Sequence, residues 1–143
     1  MKSLQTQFPD YSVICTGHSL GGAISLLTAM DLISSGIQHV NLWNYGCPRV
    51  GNTAFSEYAD ANIPSIHRVT HHKDMVPHTP MHERFTHTSG EWYQPTDDIT
   101  IQECDGHEDN DCSYQWHITS IPDHLYYLGL NLGASDENCA AFL

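Results

Sequence analysis

The chain has 143 residues, of which 40% are hydrophobic, and its 17 acidic and 5 basic side chains give a net charge of −12 with neutral histidines. This length and composition predict one globular domain, or part of one, and exclude a wholly disordered chain. The acidic balance argues against nucleic acid as a partner and against anionic membrane surfaces. No apolar run reaches the roughly 18 residues of a membrane span.

The first half of the chain alternates between strand-like and helix-like segments. Residues 11–15 form a β-branched run, and the segment from Gly21 to Gly36 repeats apolar residues at helical spacing. Residues 39–46 and 65–70 predict two more buried strands, with a helix over 52–62 between them. This alternation predicts an α/β fold with a mostly parallel sheet, flanking helices and a site at the carboxyl ends of the strands.

The second half of the chain is less regular. Residues 86–94 and 98–103 predict strands of an antiparallel edge, whereas residues 104–123 are polar and irregular. Residues 124–132 are apolar enough to predict a short packed helix. The regular part of the sheet is therefore expected to come from the first half.

A Gly-x-Ser-x-Gly motif, residues 17–21, lies between the first strand and the first helix. In this context it predicts a nucleophile elbow that presents the hydroxyl of Ser19. Gly17 is expected to relieve the strained elbow, and Gly21 and Gly22 to let the helix pack close to the strand. The backbone N–H of Leu20 is the expected oxyanion donor, favoured by the positive end of the helix.

A serine hydroxyl attacks well only when a histidine takes its proton and a carboxylate orients that histidine. In this fold class the acid follows the serine and the histidine follows the acid. Asp74 fits the acid, because it lies four residues beyond the strand at 65–70. Six histidines follow it: His78, His82, His87, His107, His117 and His124. His124 is favoured for its place between the irregular loop and the apolar end, with His117 as the second candidate.

Other reactive side chains have simpler interpretations. His18 is expected to support the site by hydrogen bonding rather than act as the base, because adjacent residues on an elbow point apart. Residues 82–87 resemble a zinc motif but hold three residues between Glu and His where two are needed, so no metal or other cofactor is expected.

Five cysteines leave one without a partner. Cys104 and Cys112 bracket a polar loop that suits a disulfide in an oxidising compartment, or two thiols in a reducing one. Cys15 and Cys47 lie in apolar runs and are predicted to be small buried residues. Cys139 has no evident partner.

Three segments, VICTGHSLGGAISLLTAMDL, YGCPRVGNTAFSEY and HRVTHHKDMVPHTP, resemble the lipase class 3 family of fungal-lipase-like α/β hydrolases, in the same order and spacing. The resemblance implies Ser19 as nucleophile, Asp74 as acid and His124, within DHLYYLG, as base. It implies a serine carboxylic-ester hydrolase, most of all a triacylglycerol lipase of lipid catabolism. Such an enzyme takes lipid or ester substrates, and contacts a lipid interface transiently without stable membrane insertion.

The resemblance covers only the C-terminal half of the family domain, from the nucleophile strand onward. Residues 1–143 are then expected to lack the N-terminal strands, the loop with the second oxyanion donor and the lid. The alternative is a truncated, non-catalytic fragment that binds lipid or protein without turnover. The family implies a secreted or lumenal parent, although no signal peptide is visible in this chain.

Overall fold

The computed structural model describes residues 1–96 and 98–133. These residues form a five-stranded sheet in the order β1-β2-β3-β4-β5 and a separate two-stranded sheet. The helices are α1 (Lys2–Gln7), α2 (Leu20–Ser34) and α3 (Thr53–Asn62). The strands are β1 (Val13–His18), β2 (Val40–Tyr45), β3 (Ser65–His71), β4 (Glu91–Gln94), β5 (Gln102–Glu103), β6 (Tyr126–Tyr127) and β7 (Leu130–Asn131).

The main sheet is parallel from β1 to β4 and antiparallel only between β4 and β5. This arrangement confirms the predicted α/β-hydrolase fold with its mostly parallel sheet. The predicted antiparallel edge is confirmed in the pairing of β4 with β5, although β4 covers only Glu91–Gln94 and also runs parallel to β3. The loop over residues 72–90 is long enough to return the chain to the start of the sheet, which a parallel neighbour requires.

The core lies between the helices and one face of the first three strands. Helix α2 buries small and apolar side chains at helical spacing, among them Ala23, Leu26 and Ala29, against the sheet. Gly22 marks a close approach of α2 to β2, since a Cβ there would meet the Cβ of Cys47 at 3.0 Å and that of Asn44 at 3.2 Å. The small residues after the serine motif therefore hold α2 close to β2.

The short helix predicted over residues 124–132 is wrong. A 3-10 turn over Pro122–Leu125 is followed by the hairpin of β6 and β7. Its two turn residues, Leu128 and Gly129, have φ values of 51° and 80°, which suit a tight hairpin and exclude a helix. The glycine in this apolar stretch signals a turn rather than a helix.

The cysteines fall into two groups. Cys104 and Cys112 form a disulfide, and Cys15 and Cys47 are buried free cysteines. Burial, opposed in part by the nearby Arg68 charge, raises the pKa of the Cys47 thiol to about 12. Cys139 lies outside the described residues.

Buried polar side chains connect the sheet to the loops that follow it. The guanidinium of Arg68 donates to Glu91 at 3.1 Å, and that of Arg49 donates to Glu108 at 2.7 Å. His87, only 4% exposed, donates from Nε2 to the carbonyl of Pro77 at 2.7 Å. Burial, helped by the Arg68 charge, holds the pKa of His87 well below its ordinary value.

His87 makes stability depend on pH in a definite direction. The unfolded chain gains a proton at this site below the ordinary histidine pKa, whereas the folded chain does not. The free energy of unfolding is therefore expected to fall below about pH 6.5, by up to about 1.4 kcal/mol per pH unit for this one proton. Urea unfolding between about pH 5 and about pH 7 measures this slope.

The matched variants are His87→Gln, which keeps a donor for Pro77 but cannot titrate, and His117→Gln at an exposed histidine. The slope should decrease in the first variant and stay as in wild type in the second. Equal slopes in all three proteins would show that His87 does not contribute.

Candidate active site

Ser19 lies on a strained turn between β1 and α2. Its backbone has φ 57° and ψ −129°, a region that residues other than glycine rarely adopt. The turn is held on both sides: the Ser19 N–H donates to the Tyr45 carbonyl at 2.9 Å, and the Gly22 N–H donates to the Ser19 carbonyl at 2.9 Å. This is the geometry of a nucleophile elbow, as the motif predicts.

The two motif glycines differ in what surrounds them. A Cβ on Gly17 would collide with the backbone of Gly21, so helix α2 can approach the end of β1 only because Gly17 has no side chain. A Cβ on Gly21 would meet nothing within 4 Å. The expectation that Gly21 allows close packing is therefore wrong, because its missing side chain points into open space. Gly22 fills the role that was predicted for it, and Gly17 also does so.

Alanine substitution distinguishes these two glycines. Gly17→Ala is expected to destabilise the fold by about 1–3 kcal/mol, because rigid backbone must move to admit the methyl group. Gly21→Ala should be neutral or stabilising by up to about 1 kcal/mol, since alanine favours the helix. Chemical denaturation compares the two, and equal effects would contradict this account of the elbow.

The structure brings the three residues of the predicted relay together. The hydroxyl of Ser19 lies 2.8 Å from Nε2 of His124, and Nδ1 of His124 lies 2.8 Å from Oδ2 of Asp74. A carboxylate can only accept, so the Nδ1–H donates to Asp74 and the Nε2 lone pair faces Ser19. The imidazole can therefore take the proton of the serine hydroxyl.

Asp74 is 2% exposed and accepts hydrogen bonds on both carboxylate oxygens. The backbone N–H of Val76 donates to Oδ1 at 2.8 Å, and the hydroxyl of Tyr127 joins His124 as a donor to Oδ2. Burial, then the Asp74 charge, holds the pKa of the Tyr127 phenol well above its ordinary value. Tyr127 therefore remains a donor that fixes the carboxylate.

Hydrogen bonds tie the loop that carries the acid to the loop that carries the histidine. The Ser120 N–H donates to the Lys73 carbonyl at 2.7 Å, and the Met75 N–H donates back to the Ser120 carbonyl at 3.2 Å. The Asp123 carboxylate accepts from Nδ1 of His72 at 2.9 Å and from the Lys73 N–H at 3.1 Å. These contacts bracket Asp74 and position the residue directly before His124.

The other candidate histidines are engaged elsewhere. A ring nitrogen forms a hydrogen bond with a backbone carbonyl in each of His78, His87 and His107. Nδ1 of His82 lies 3.5 Å from Oε1 of Glu108. His117, the second candidate for the base, is exposed. Of the six histidines that follow Asp74, only His124 forms a hydrogen bond with Ser19 among the described residues.

Gly46 and Tyr127 also belong to the site, although sequence patterns hardly indicate either of them. Gly46 follows β2 with φ 53°, and a Cβ there would lie 2.8 Å from both Asp74 Oδ2 and the Tyr127 hydroxyl. Only glycine leaves room for the carboxylate and its donor at this point. Tyr127 lies within residues 124–132, for which a short packed helix is predicted, so the sequence does not indicate the hairpin that turns its hydroxyl towards Asp74.

Leu20 begins helix α2 directly after the nucleophile. Its backbone N–H is one of the four that have no acceptor within the helix, and the helix dipole favours negative charge there. A carbonyl oxygen that becomes negative beside Ser19 can accept this hydrogen bond. The N–H of Leu20 therefore stays the predicted oxyanion donor.

The fold and the elbow define an α/β hydrolase. The profile of the Lipase (class 3) family matches residues 1–84, and the chain belongs to this family. A lipase from Rhizomucor miehei is 43% identical over 136 residues, which are 89% of this chain and 37% of that protein.

A second curated relative and a solved structure are also lipases. A secreted mono- and diacylglycerol lipase A from Penicillium cyclopium is 32% identical, across 89% of this chain and 45% of that protein. A solved structure of the Rhizomucor miehei triacylglyceride lipase superimposes with a TM-score of 0.84 at 38% identity, across 92% of this chain and 52% of that one. The chain thus spans less than half the length of the curated lipases from Rhizomucor miehei and Penicillium cyclopium.

Proposed function

We propose that this chain carries the nucleophile, base and acid of a serine carboxylic-ester hydrolase, and that it acts as a triacylglycerol lipase in lipid catabolism. The observation that carries the proposal is the unbroken hydrogen-bonded relay from Ser19 through His124 to Asp74. Family membership supports an ester of a fatty acid as the substrate, because the relatives are lipases of tri-, di- and monoacylglycerols.

The relay supports a two-step acyl transfer. Ser19 Oγ attacks the ester carbonyl carbon while His124 Nε2 takes its proton, and Asp74 holds the imidazolium that forms. Collapse of the tetrahedral intermediate expels the alcohol, which takes the proton from His124. Water then attacks the acyl-serine with His124 again as the base, and the fatty acid leaves.

The oxyanion of the tetrahedral intermediate needs two donors. The N–H of Leu20 supplies one, and we propose that the second comes from a part of the family domain that this chain does not span. Loss of one such donor costs about 2.7–4 kcal/mol of transition-state stabilisation. The relay alone is therefore expected to give slow turnover.

We propose that the domain continues beyond these residues. Strand β1 is an edge of the sheet, and helix α2 exposes Leu20, Ile24 and Leu27 on the side away from its buried face. A helix that is apolar on both sides normally packs in the interior of a larger domain. The greater length of the relatives supports the same view. The alternative is a non-catalytic fragment that binds lipid or protein.

Apolar residues beside the relay support transient contact with a lipid interface. Leu20 and Leu125 adjoin Ser19 and His124 in the chain, and Ile121 lies directly before the 3-10 turn Pro122–Leu125; all three apolar side chains are exposed. The net charge of −12 favours neutral over anionic lipid. No helix in residues 1–96 and 98–133 is both long and apolar enough to cross a bilayer.

Secretion of the parent protein is part of the proposal. The disulfide between Cys104 and Cys112 is typical of oxidising compartments, and the Penicillium relative is a secreted lipase. Free-thiol titration of the natural protein tests this: a reduced pair at Cys104 and Cys112 would contradict it.

Hydrolysis of a short-chain aryl ester tests the proposed activity. Ser19→Ala and His124→Ala are each expected to lower kcat by at least about a thousandfold, because nucleophile and base act as a unit. His117→Ala, at the exposed histidine, should keep the wild-type rate.

Circular dichroism and the unfolding midpoint establish that each variant is folded. If folded wild type and Ser19→Ala are equally inert, the enzyme proposal fails for this chain and the non-catalytic alternative takes its place. If His117→Ala loses activity and His124→Ala keeps it, the base is assigned wrongly.

A further inference from the structure

His18, the residue before the nucleophile, contacts the proposed base in two ways. Its Nε2 lies 2.8 Å from the backbone carbonyl oxygen of His124. Its ring stacks on the ring of His124, with 4.4 Å between centroids and 29° between planes. The base is thus held through both its backbone and its ring by one side chain.

The hydrogen bond fixes where His18 carries its proton. A carbonyl oxygen can only accept, so Nε2–H of His18 is the donor. Burial lowers the pKa of the His18 imidazole, partly opposed by this bond. A neutral His18 with its proton on Nε2 has no lone pair at that atom to offer the serine, which agrees with a supporting role.

The two residues of the elbow hold opposite ends of one histidine. Ser19 Oγ lies 2.8 Å from the ring of His124, and His18 holds the carbonyl of the same residue. Because His18 and Ser19 are neighbours on a rigid turn, they keep a fixed separation. A shift of the loop that carries His124 would therefore change its contacts with His18 and with Ser19 together.

We infer that His18 is a positioning residue for the proposed acyl transfer: it anchors the His124 backbone and supports its ring, so that Nε2 stays aligned with Ser19. The ring contact gains strength during the reaction, because His124 becomes a cation over the face of a neutral aromatic ring. A protonated His18 would instead repel it. The inference rests on the proposed function.

Two substitutions separate the hydrogen bond from the stacked ring. His18→Phe keeps a ring but loses the donor, whereas His18→Gln keeps a donor but loses the ring. His117→Phe, at an exposed histidine, is the matched control. With the aryl ester, kcat should fall about tenfold in His18→Phe and by no more than about threefold in His18→Gln, with KM unchanged in both.

Histidine side-chain nitrogen NMR supplies a readout that does not depend on turnover. The ring nitrogen signals of His124 should shift in His18→Phe and stay near their wild-type positions in His18→Gln and in His117→Phe. Wild-type His18 should show its proton on Nε2. These signals test the contact even if wild type hydrolyses no ester, an outcome that contradicts the proposed function alone.

Either of two results would overturn the inference. One is a folded His18→Phe variant in which the His124 signals and kcat match wild type. The other is an equal loss of kcat in the Phe and Gln variants that follows a loss of thermal stability, which would make His18 a packing residue only.

Discussion

The positive-φ backbone of Ser19 is the constraint on which the rest of this structure depends. A strained serine persists only where its surroundings fix it on several sides. Here β2 accepts the Ser19 N–H, helix α2 begins at the next residue, and Gly17 and Gly22 let that helix lie against the strands. The parallel sheet and the small residues around the motif therefore serve the same purpose, which is to hold one hydroxyl at the end of β1.

The partners of that hydroxyl come from two distant loops, and His124 is 105 residues from Ser19 in the chain. Hydrogen bonds between the two loops, and not the sheet alone, hold Asp74 and His124 in place beside Ser19. Asp74 and Ser120 pair as a short parallel bridge, and the Asp123 carboxylate accepts a hydrogen bond from the Lys73 N–H in the loop that carries Asp74. The acid and the histidine thus form one unit, which the elbow meets through Ser19 and His18.

The sequence predicted the parts that local patterns determine. Strands β1 to β3, helices α2 and α3, the elbow and Asp74 follow from periodicity and from the place of the motif between strand and helix. The base did not follow from pattern alone, because several histidines suit a loop and only long-range contacts distinguish them. The hairpin that carries Tyr127, and the lack of space beside Gly46, are likewise products of tertiary packing. Gly21 was misread because a helical glycine can face either the strand or open space.

In the proposed mechanism, His124 and Asp74 activate the hydroxyl of Ser19. Reaction of the folded protein with a fluorophosphonate, followed by mass spectrometry of its peptides, tests the claim most directly, because the reagent reports the activated hydroxyl itself. A single adduct on Ser19 is expected, and it should form much more slowly in Asp74→Asn and His124→Ala. A folded chain that stays unmodified, or one that reacts at other serines at the same rate, would contradict it.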